Sequence, residues 1–269
     1  MTLISLGPVE LGLAAALVLL LAGLALWLAL GLAQSLLVAV VRATLQLLLL
    51  GLILESLFEL QHLGLIAGLA LLMLAVAGRE VMVRQTRRLR GLWGYGLGTG
   101  AMFLSSFTIA LLALTVIIQP SPWYTPQYAI PLLGMLLGNT MNGVTLGLER
   151  ITEGVAQQRA AIEARLALGQ HWWQAVATMR RTAARQGMIP IINAMAAAGV
   201  VSLPGMMTGQ ILAGAAPLEA VKYQVLIFFL IVAGTGFGVI TAVWLGARRL
   251  FDERDRLRLD RLHEPKSMH

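Results

Sequence analysis

Seven apolar segments follow one another along this chain of 269 residues, and each is near or above the length that crosses a lipid bilayer. About 20 apolar residues in a helix span the hydrocarbon core, where a helix satisfies its own backbone hydrogen bonds. Only 12% of the residues are charged, about half the share of a soluble domain. We therefore predict an all-α polytopic membrane protein with seven transmembrane helices, at roughly 11–32, 36–57, 63–83, 95–118, 129–148, 188–213 and 223–247.

The sixth apolar segment is the least regular of the seven. It contains Pro190 and the pair Pro204-Gly205. Helix breakers are tolerated at membrane depth only where protein or a water-filled cavity covers the freed backbone groups. The pattern leaves open whether this segment is one continuous helix or is broken and partly re-entrant.

Arginines cluster at one set of connections between the apolar segments. Four follow segment three, six lie in the polar stretch 149–187, and six follow segment seven. Basic residues mark the cytoplasmic side of a membrane protein, so we predict an N-terminus outside and a cytoplasmic C-terminus. The opposite connections are poor in basic residues and hold Glu10, Glu55, Glu59, Glu219 and Lys222.

This topology predicts one transmembrane domain over 1–269, with a cytoplasmic loop at 149–187 and a cytoplasmic tail at 248–269. Within the tail, the stretch 252–261 alternates acids and arginines, a pattern typical of a solvated helix. We therefore expect it to extend segment seven as a helix.

The sequence lacks the motifs of nucleotide hydrolysis and catalysis. Neither Lys222 nor Lys266 follows a glycine, so there is no P-loop. There is no cysteine, and the histidines have no metal-ligand spacing. The arginines lie at the ends of apolar segments, where they contact lipid headgroups rather than nucleic acid. We predict no catalytic residue, no cofactor bound by this chain and no nucleic-acid partner.

The polar loop contains a predicted helix–turn–helix. Residues 154–168 and 172–185 have helical patterns, and Gly169 separates them, as glycine commonly does just past a helix end. One interpretation is an amphipathic helix that only anchors to lipid. The other is a helix that inserts into a groove of a soluble partner.

A short motif in this loop favours the second interpretation. Glu163-Ala164, with Gly169 six positions after the glutamate, resembles the E-A-A-x-x-x-G loop of ABC-transporter permeases, although Arg165 replaces the second alanine. In that family the loop forms the coupling helix that seats in the ATPase subunit. The resemblance implies a set of ATPase-coupling residues: Glu163, Ala164, Arg165, Leu168, Gly169 and Trp172.

Further motifs resemble the FetB/YbbM-type permeases, the membrane subunits of iron-export ABC systems in bacteria, whose plant relatives are linked to aluminium tolerance. The motifs are Gly134-Met135, Gly138-Asn139 with Met141, the run 202–209, and Lys222-Tyr223-Gln224. The resemblance covers essentially the whole chain.

This resemblance implies a permease subunit in a bacterial plasma membrane that exports iron, a related metal or a small solute. A separate ABC ATPase would bind ATP and Mg²⁺, and two copies of the permease would pair in the membrane. The alternative is a secondary transporter driven by an ion gradient, which would favour ionisable groups at mid-bilayer and an internal repeat. A membrane-embedded enzyme or scaffold is a third class, without a catalytic constellation to support it.

Polar, soft or helix-breaking residues within the apolar segments are candidates for the substrate path or gate. Each has a structural alternative: Arg42 could snorkel to the interface, the face that carries Asn139 could pack against another helix, and Pro204-Gly205 could form an ordinary turn. Methionine sulfur suits Cu(I) better than hard iron or aluminium ions, so no metal site is assigned. The candidates are Arg42, Gln46, Met135, Asn139, Met141, Asn142, Pro204, Gly205, Met206 and Met207.

Overall fold

A computed structural model describes residues 7–263, and it confirms that the chain is all-helical. Over these residues there is no β-strand, only isolated bridges. Residues 1–6 and 264–269, which include Lys266, lie outside the described part. The helices are α1 Pro8–Trp27, α2 Ala33–Leu60, α3 Leu63–Arg84, α4 Leu92–Ile118, α5 Pro126–Gln157, α6 Arg159–Ala167, α7 Trp172–Ala175, α8 Ala177–Ala197, α9 Gly205–Leu212 and α10 Pro217–Arg249.

Six of the described helices, α1 to α5 and α10, are long and apolar enough to cross a bilayer. The predicted segment 188–213 is not a single helix. It consists of the second half of α8, a bend over 198–204, and α9. Gly199 has φ +82° in this bend, which favours glycine, and Pro204 directly precedes α9. The broken form of this segment is therefore the one observed.

Helices α5 and α8 cross in close contact at two glycines. A Cβ atom on Gly143 would lie 2.8 Å from the carbonyl oxygen of Gly187, and one on Gly187 would lie 2.6 Å from the carbonyl oxygen of Gly143. Small residues let helix backbones approach in this way. Gly147 packs near Ala183 one turn along, so α8 runs antiparallel to α5.

Helix α10 runs parallel to α5, because Val239 packs beside Gly143 and Val243 beside Gly147. The α8–α9 segment therefore leads the chain from the end of α5 back to the level at which α10 begins. The connections between helices collect at two ends of the molecule. One, which we call the arginine end, holds 85–91, 158–176 and 250–263; the opposite end holds 61–62, 119–125 and 198–216.

Candidate docking loop and transport path

Helices α6 and α7 form the helix–turn–helix predicted for the polar loop. The structure divides the predicted helix 154–168, because α5 continues to Gln157 and α6 begins at Arg159. Gly169 follows α6 with φ +83°, which confirms the predicted break. The second helix begins at Trp172, is interrupted at Val176, and continues as α8 beyond the predicted end of the loop.

The tip of this loop is open on its outer side. Leu168 is 83% exposed and lies outside the predicted transmembrane segments, where we expect no lipid tails to cover it. Glu163 and Ala164 are also exposed, and the Glu163 carboxylate pairs with Arg159 on the same helix, with 2.8 Å between Oε1 and Nε. These side chains form a surface that the rest of the described chain leaves uncovered.

Arg165 holds the loop closed instead of pointing away from the protein. Its Nη1 donates a hydrogen bond of 2.8 Å to the carbonyl oxygen of Ala175, at the end of α7. This bond joins α6 to α7 across the turn at Gly169. The arginine that replaces the second alanine of the family motif thus has a structural role.

Trp172 is buried and serves as the anchor of the loop. Its ring centroid lies 6.0 Å from that of Trp244 and 5.9 Å from that of Phe251. The guanidinium groups of Arg180 and Arg248 lie 5.6 and 5.5 Å from the same centroid. Among the predicted coupling residues, Trp172 therefore binds the loop to α10 rather than facing a partner.

The tail after α10 is not a helical extension, and that prediction is wrong. Helix α10 ends at Arg249, and Phe251 is buried against the loop. Asp252 then closes a turn by accepting hydrogen bonds from the backbone N–H groups of Arg254 and Arg256. The bond from the Arg256 N–H, with the Arg256 guanidinium, lowers the pKa of Asp252. The chain therefore turns back under the membrane domain.

The tail links the other connections of the arginine end. Leu262 forms an isolated bridge with Leu89, and the N–H of His263 donates to the carbonyl oxygen of Arg88 at 2.9 Å. On the other side, Nδ1 of His171 lies 3.1 Å from Oδ2 of Asp255. The segments 85–91, 171–173 and 250–263 thus form one packed unit, which we call the cap. In the sequence, this packing is indicated by the apolar residues that lie between the charged residues of the tail.

Arg42 forms an ion pair between helices. Its Nη2 lies 2.5 Å from Oε1 of Glu80 on α3, and Nε of Arg84 lies 3.4 Å from the other oxygen of that carboxylate. Glu80 and Arg84 lie four residues apart on α3, and the sequence pattern did not predict Glu80 as the partner of Arg42. Gln46, one turn further along α2, is exposed.

Met135, Asn139 and Asn142 share one face of α5, as their spacing predicts. Asn139 donates from Nδ2 to the carbonyl oxygen of Met135 at 2.8 Å, and Asn142 is exposed. Met141 lies on another face and packs, half-buried, against the core. The structure therefore brings three of these four residues together and separates Met141 from them.

Two cavities at the opposite end flank the Met206-Met207 pair. Met206 lines a cavity of about 260 Å³ between α5, α9 and α10, together with Met135 and Gln210. The amide oxygen of Gln210 is buried there without a hydrogen-bond partner. Met207 lines a second cavity, of about 390 Å³, with Pro204. Gly205 begins α9 with open space around it.

These cavities offer amide and thioether groups, and carboxylates do not line them. Within residues 7–263, no group of three histidine, aspartate or glutamate side chains is placed to hold a metal ion. Hard cations prefer carboxylate, carbonyl and amide oxygens as ligands, and of these side-chain groups the two cavities supply amides.

Six apolar helices, an arginine end and broken helices at the opposite end define a multi-pass α-helical membrane protein. The chain belongs to UPF0014, a family described as uncharacterised, whose model matches residues 8–251. It is a protein of the bacterial plasma membrane, in keeping with the bacterial relatives.

Three relatives illustrate the range of the family. The UPF0014 membrane protein slr1647 of Synechocystis is 41% identical over 86% of this chain and 88% of its own length. The Escherichia coli protein named "probable iron export permease protein FetB" is 30% identical over 85% and 86%. The Arabidopsis thaliana protein ALUMINUM SENSITIVE 3 is 32% identical over 77% and 74%. These matches confirm the resemblance to FetB-type permeases. No solved structure is significantly similar to this chain.

Proposed function

We propose that this chain is the permease subunit of an ABC transporter and works with a separate ATPase. The observation that carries this proposal is the uncovered tip of the loop at the arginine end, with Leu168 exposed and Gly169 ending α6. An apolar tip on a helix outside the bilayer is typical of a helix that seats in a partner's groove. A chain without a P-loop needs a second protein to bind and hydrolyse ATP with Mg²⁺.

In this proposal the arginine end faces the cytoplasm and the N-terminus lies outside. Helix α8, the bend 198–204 and α9 together make the seventh crossing. Two copies of the chain pair in the membrane, and each docks one ATPase. Residues 149–187 act as the coupling loop of a single permease domain.

The packing of the loop supports a mechanical role. Movement of a docked ATPase would push on α6, and Arg165 and Trp172 would pass that movement to α10. Such a connection is what allows ATP binding in one protein to bias the inward- and outward-facing states of another. The chain itself then performs transport and no chemical reaction.

For the cargo we propose a metal such as iron, or a related small solute, moving outward. The name of the Escherichia coli relative supports iron and export. The path would follow the uncovered face of α5 toward the cavity that holds Met135, Met206 and Gln210.

The docking proposal is tested by reversing one exposed charge. Glu163→Lys changes α6 at the arginine end, and Glu219→Lys is a matched control: both glutamates are exposed and each pairs with a base on its own helix, Arg159 or Lys222. The permease is co-expressed with each ABC ATPase of the same genome that lacks a membrane domain. We expect one ATPase to co-purify with wild type and Glu219→Lys and to be lost with Glu163→Lys. If no ATPase binds wild type, or both variants bind equally, the docking assignment fails.

A secondary transporter is the second candidate, and the ion pair of Arg42 and Glu80 favours it, because ionisable groups within a span are frequently functional. Proteoliposomes separate the two. An imposed ion gradient without ATP would drive transport by a secondary transporter, whereas the proposed complex would need ATP and the ATPase.

A further inference from the structure

A small polar cavity that opens to the surface lies at the arginine end, between the end of α5, α6 and the first turns of α8, and Arg150, Gln157, Gln158 and Thr178 on its wall are exposed. Its volume is about 120 Å³, roughly four times the share of one water molecule in the liquid. Gly154 and Met179 form part of its wall. Arginine, glutamine and threonine side chains supply the polar lining: Arg150, Gln157, Gln158, Arg165, Thr178 and Thr182.

Positive charge in this cavity has no counter-charge. Among residues 7–263, no carboxylate lines the cavity, and neither Arg150 nor Arg165 forms an ion pair. One N–H of Arg165 is used on the carbonyl oxygen of Ala175, which leaves its other donors available. Glu153, on the same helix as Arg150, accepts instead from the Gln157 amide at 3.0 Å.

These groups suit a phosphate. Guanidinium groups present N–H donors in a fork that matches phosphate oxygens, and charge-assisted bonds of this kind are the stronger ones. Hydroxyl groups of Thr178 and Thr182 and the glutamine amides add neutral donors around the same space. The cavity is large enough for one tetrahedral group.

The depth of the cavity points to the source of that phosphate. Arg150 follows Leu148, the end of the predicted apolar stretch, by two residues. With a helical rise of about 1.5 Å per residue, its Cα lies roughly 3 Å past the end of that stretch along the helix. When the end of the stretch is taken as the edge of the hydrocarbon, the headgroup layer of about 5–8 Å on each side includes Arg150. Anionic headgroups are attracted to basic residues at that level.

We infer that this cavity binds the headgroup phosphate of an anionic phospholipid in the leaflet at the arginine end. A phosphate held there contacts α5, α6 and α8 together and fixes the base of the loop. This inference rests on the membrane location of the chain and does not depend on an ATPase partner. Free inorganic phosphate has the same chemistry and is the other source that the experiment distinguishes.

The test measures which lipid the full-length protein retains. Wild type is purified in detergent with equal amounts of phosphatidylglycerol and phosphatidylcholine, and bound lipid is counted by native mass spectrometry. We expect preferential retention of phosphatidylglycerol. Arg150→Gln with Arg165→Gln should reduce that retention about tenfold, as expected from losing charge-assisted hydrogen bonds. The matched control, Arg159→Gln with Arg181→Gln, removes the same charge from exposed positions outside the cavity and should retain lipid as wild type does.

A second arm measures the thermal shift of delipidated protein with inorganic phosphate. Phosphate binding that the cavity variant alone loses, without a preference for phosphatidylglycerol, would support the site and assign it to free phosphate. Equal losses in both double variants would mean general surface charge and would overturn the inference. Wild type that prefers neither lipid nor phosphate would overturn it without any variant. Thr178→Val with Thr182→Val provides a milder change if the arginine variant does not fold.

Discussion

Two adjacent tryptophans in the loop should differ sharply in what they contribute. Trp172 is 8% exposed, while Trp173 is 48% exposed and stacks on His171, with 6.4 Å between ring centroids. Replacing each by alanine removes the same atoms from neighbouring positions. The pair therefore separates anchoring of the loop from the general effect of losing an indole.

The magnitude follows from the contacts of Trp172. Two aromatic neighbours contribute about 0.5–1.5 kcal/mol each, and two guanidinium groups about 0.5–1 kcal/mol each or more where water is excluded. Burial of the ring adds to these, and Trp→Ala changes in protein cores cost roughly 3–5 kcal/mol in total. For Trp173, half of whose surface remains in contact with solvent, we expect a loss of about 1 kcal/mol, roughly half of what full burial of a large apolar side chain contributes.

The assay is hydrogen–deuterium exchange of the α7 amides in purified protein. A loss of about 3 kcal/mol raises the equilibrium constant for opening roughly a hundredfold, so exchange in Trp172→Ala should be faster by about that factor. Trp173→Ala should change it by less than about tenfold. Similar exchange in the two variants, or faster exchange in Trp173→Ala, would refute the view that Trp172 anchors the loop.

Two further predictions concern the helix crossing and the tail. Gly143→Ala places a Cβ 2.8 Å from the Gly187 carbonyl oxygen, whereas the Cβ of Gly138→Ala meets open space. Overpacking should lower the stability of Gly143→Ala by about 1–3 kcal/mol. Thermal unfolding in detergent measures this difference, and equal stabilities of the two variants would contradict it. The pKa of Asp252 is lowered from 3.8, so its contribution is present above that ordinary value and is lost as pH falls through the lowered one. Hydrogen exchange of the Arg256 amide, corrected for its intrinsic pH dependence, measures this hydrogen bond. Its protection should be constant between about pH 7 and pH 5 and should fall only in stronger acid. Protection that is already lost between about pH 7 and pH 5 would contradict a hydrogen bond from this amide to Asp252.

The helices could be predicted because their signals are local. Apolar runs of membrane length mark α1 to α5 and α10, and Gly169 marks the end of α6 through its own left-handed backbone. Pro204 indicates the bend in the sixth segment, because proline restricts its own backbone and has no N–H to donate. Each of these features depends on residues close together in the chain, so a single sequence contains the information.

The anchor and the cap depend on contacts between distant residues. The resemblance implies that Trp172 is a coupling residue, and only the position of Trp244 and Phe251 in the fold makes it buried. Leu262 follows the charged stretch of the tail, and it pairs with Leu89, which precedes α4 far earlier in the chain. Glu80, the partner of Arg42, lies on a different helix, so this contact also joins residues that are distant in the chain. Glu80 in addition has a nearer base, Arg84, on its own helix.

The cap has a consequence for the order in which the protein is made. A ribosome synthesises 85–91 and 171–173 well before 250–263, and until that last segment emerges neither earlier connection has its packing partner. The membrane helices can insert during translation, but the arginine end reaches its final form only after synthesis of the tail. Nascent chains halted before residue 250 should therefore expose Trp172 to protease, and full-length chains should protect it.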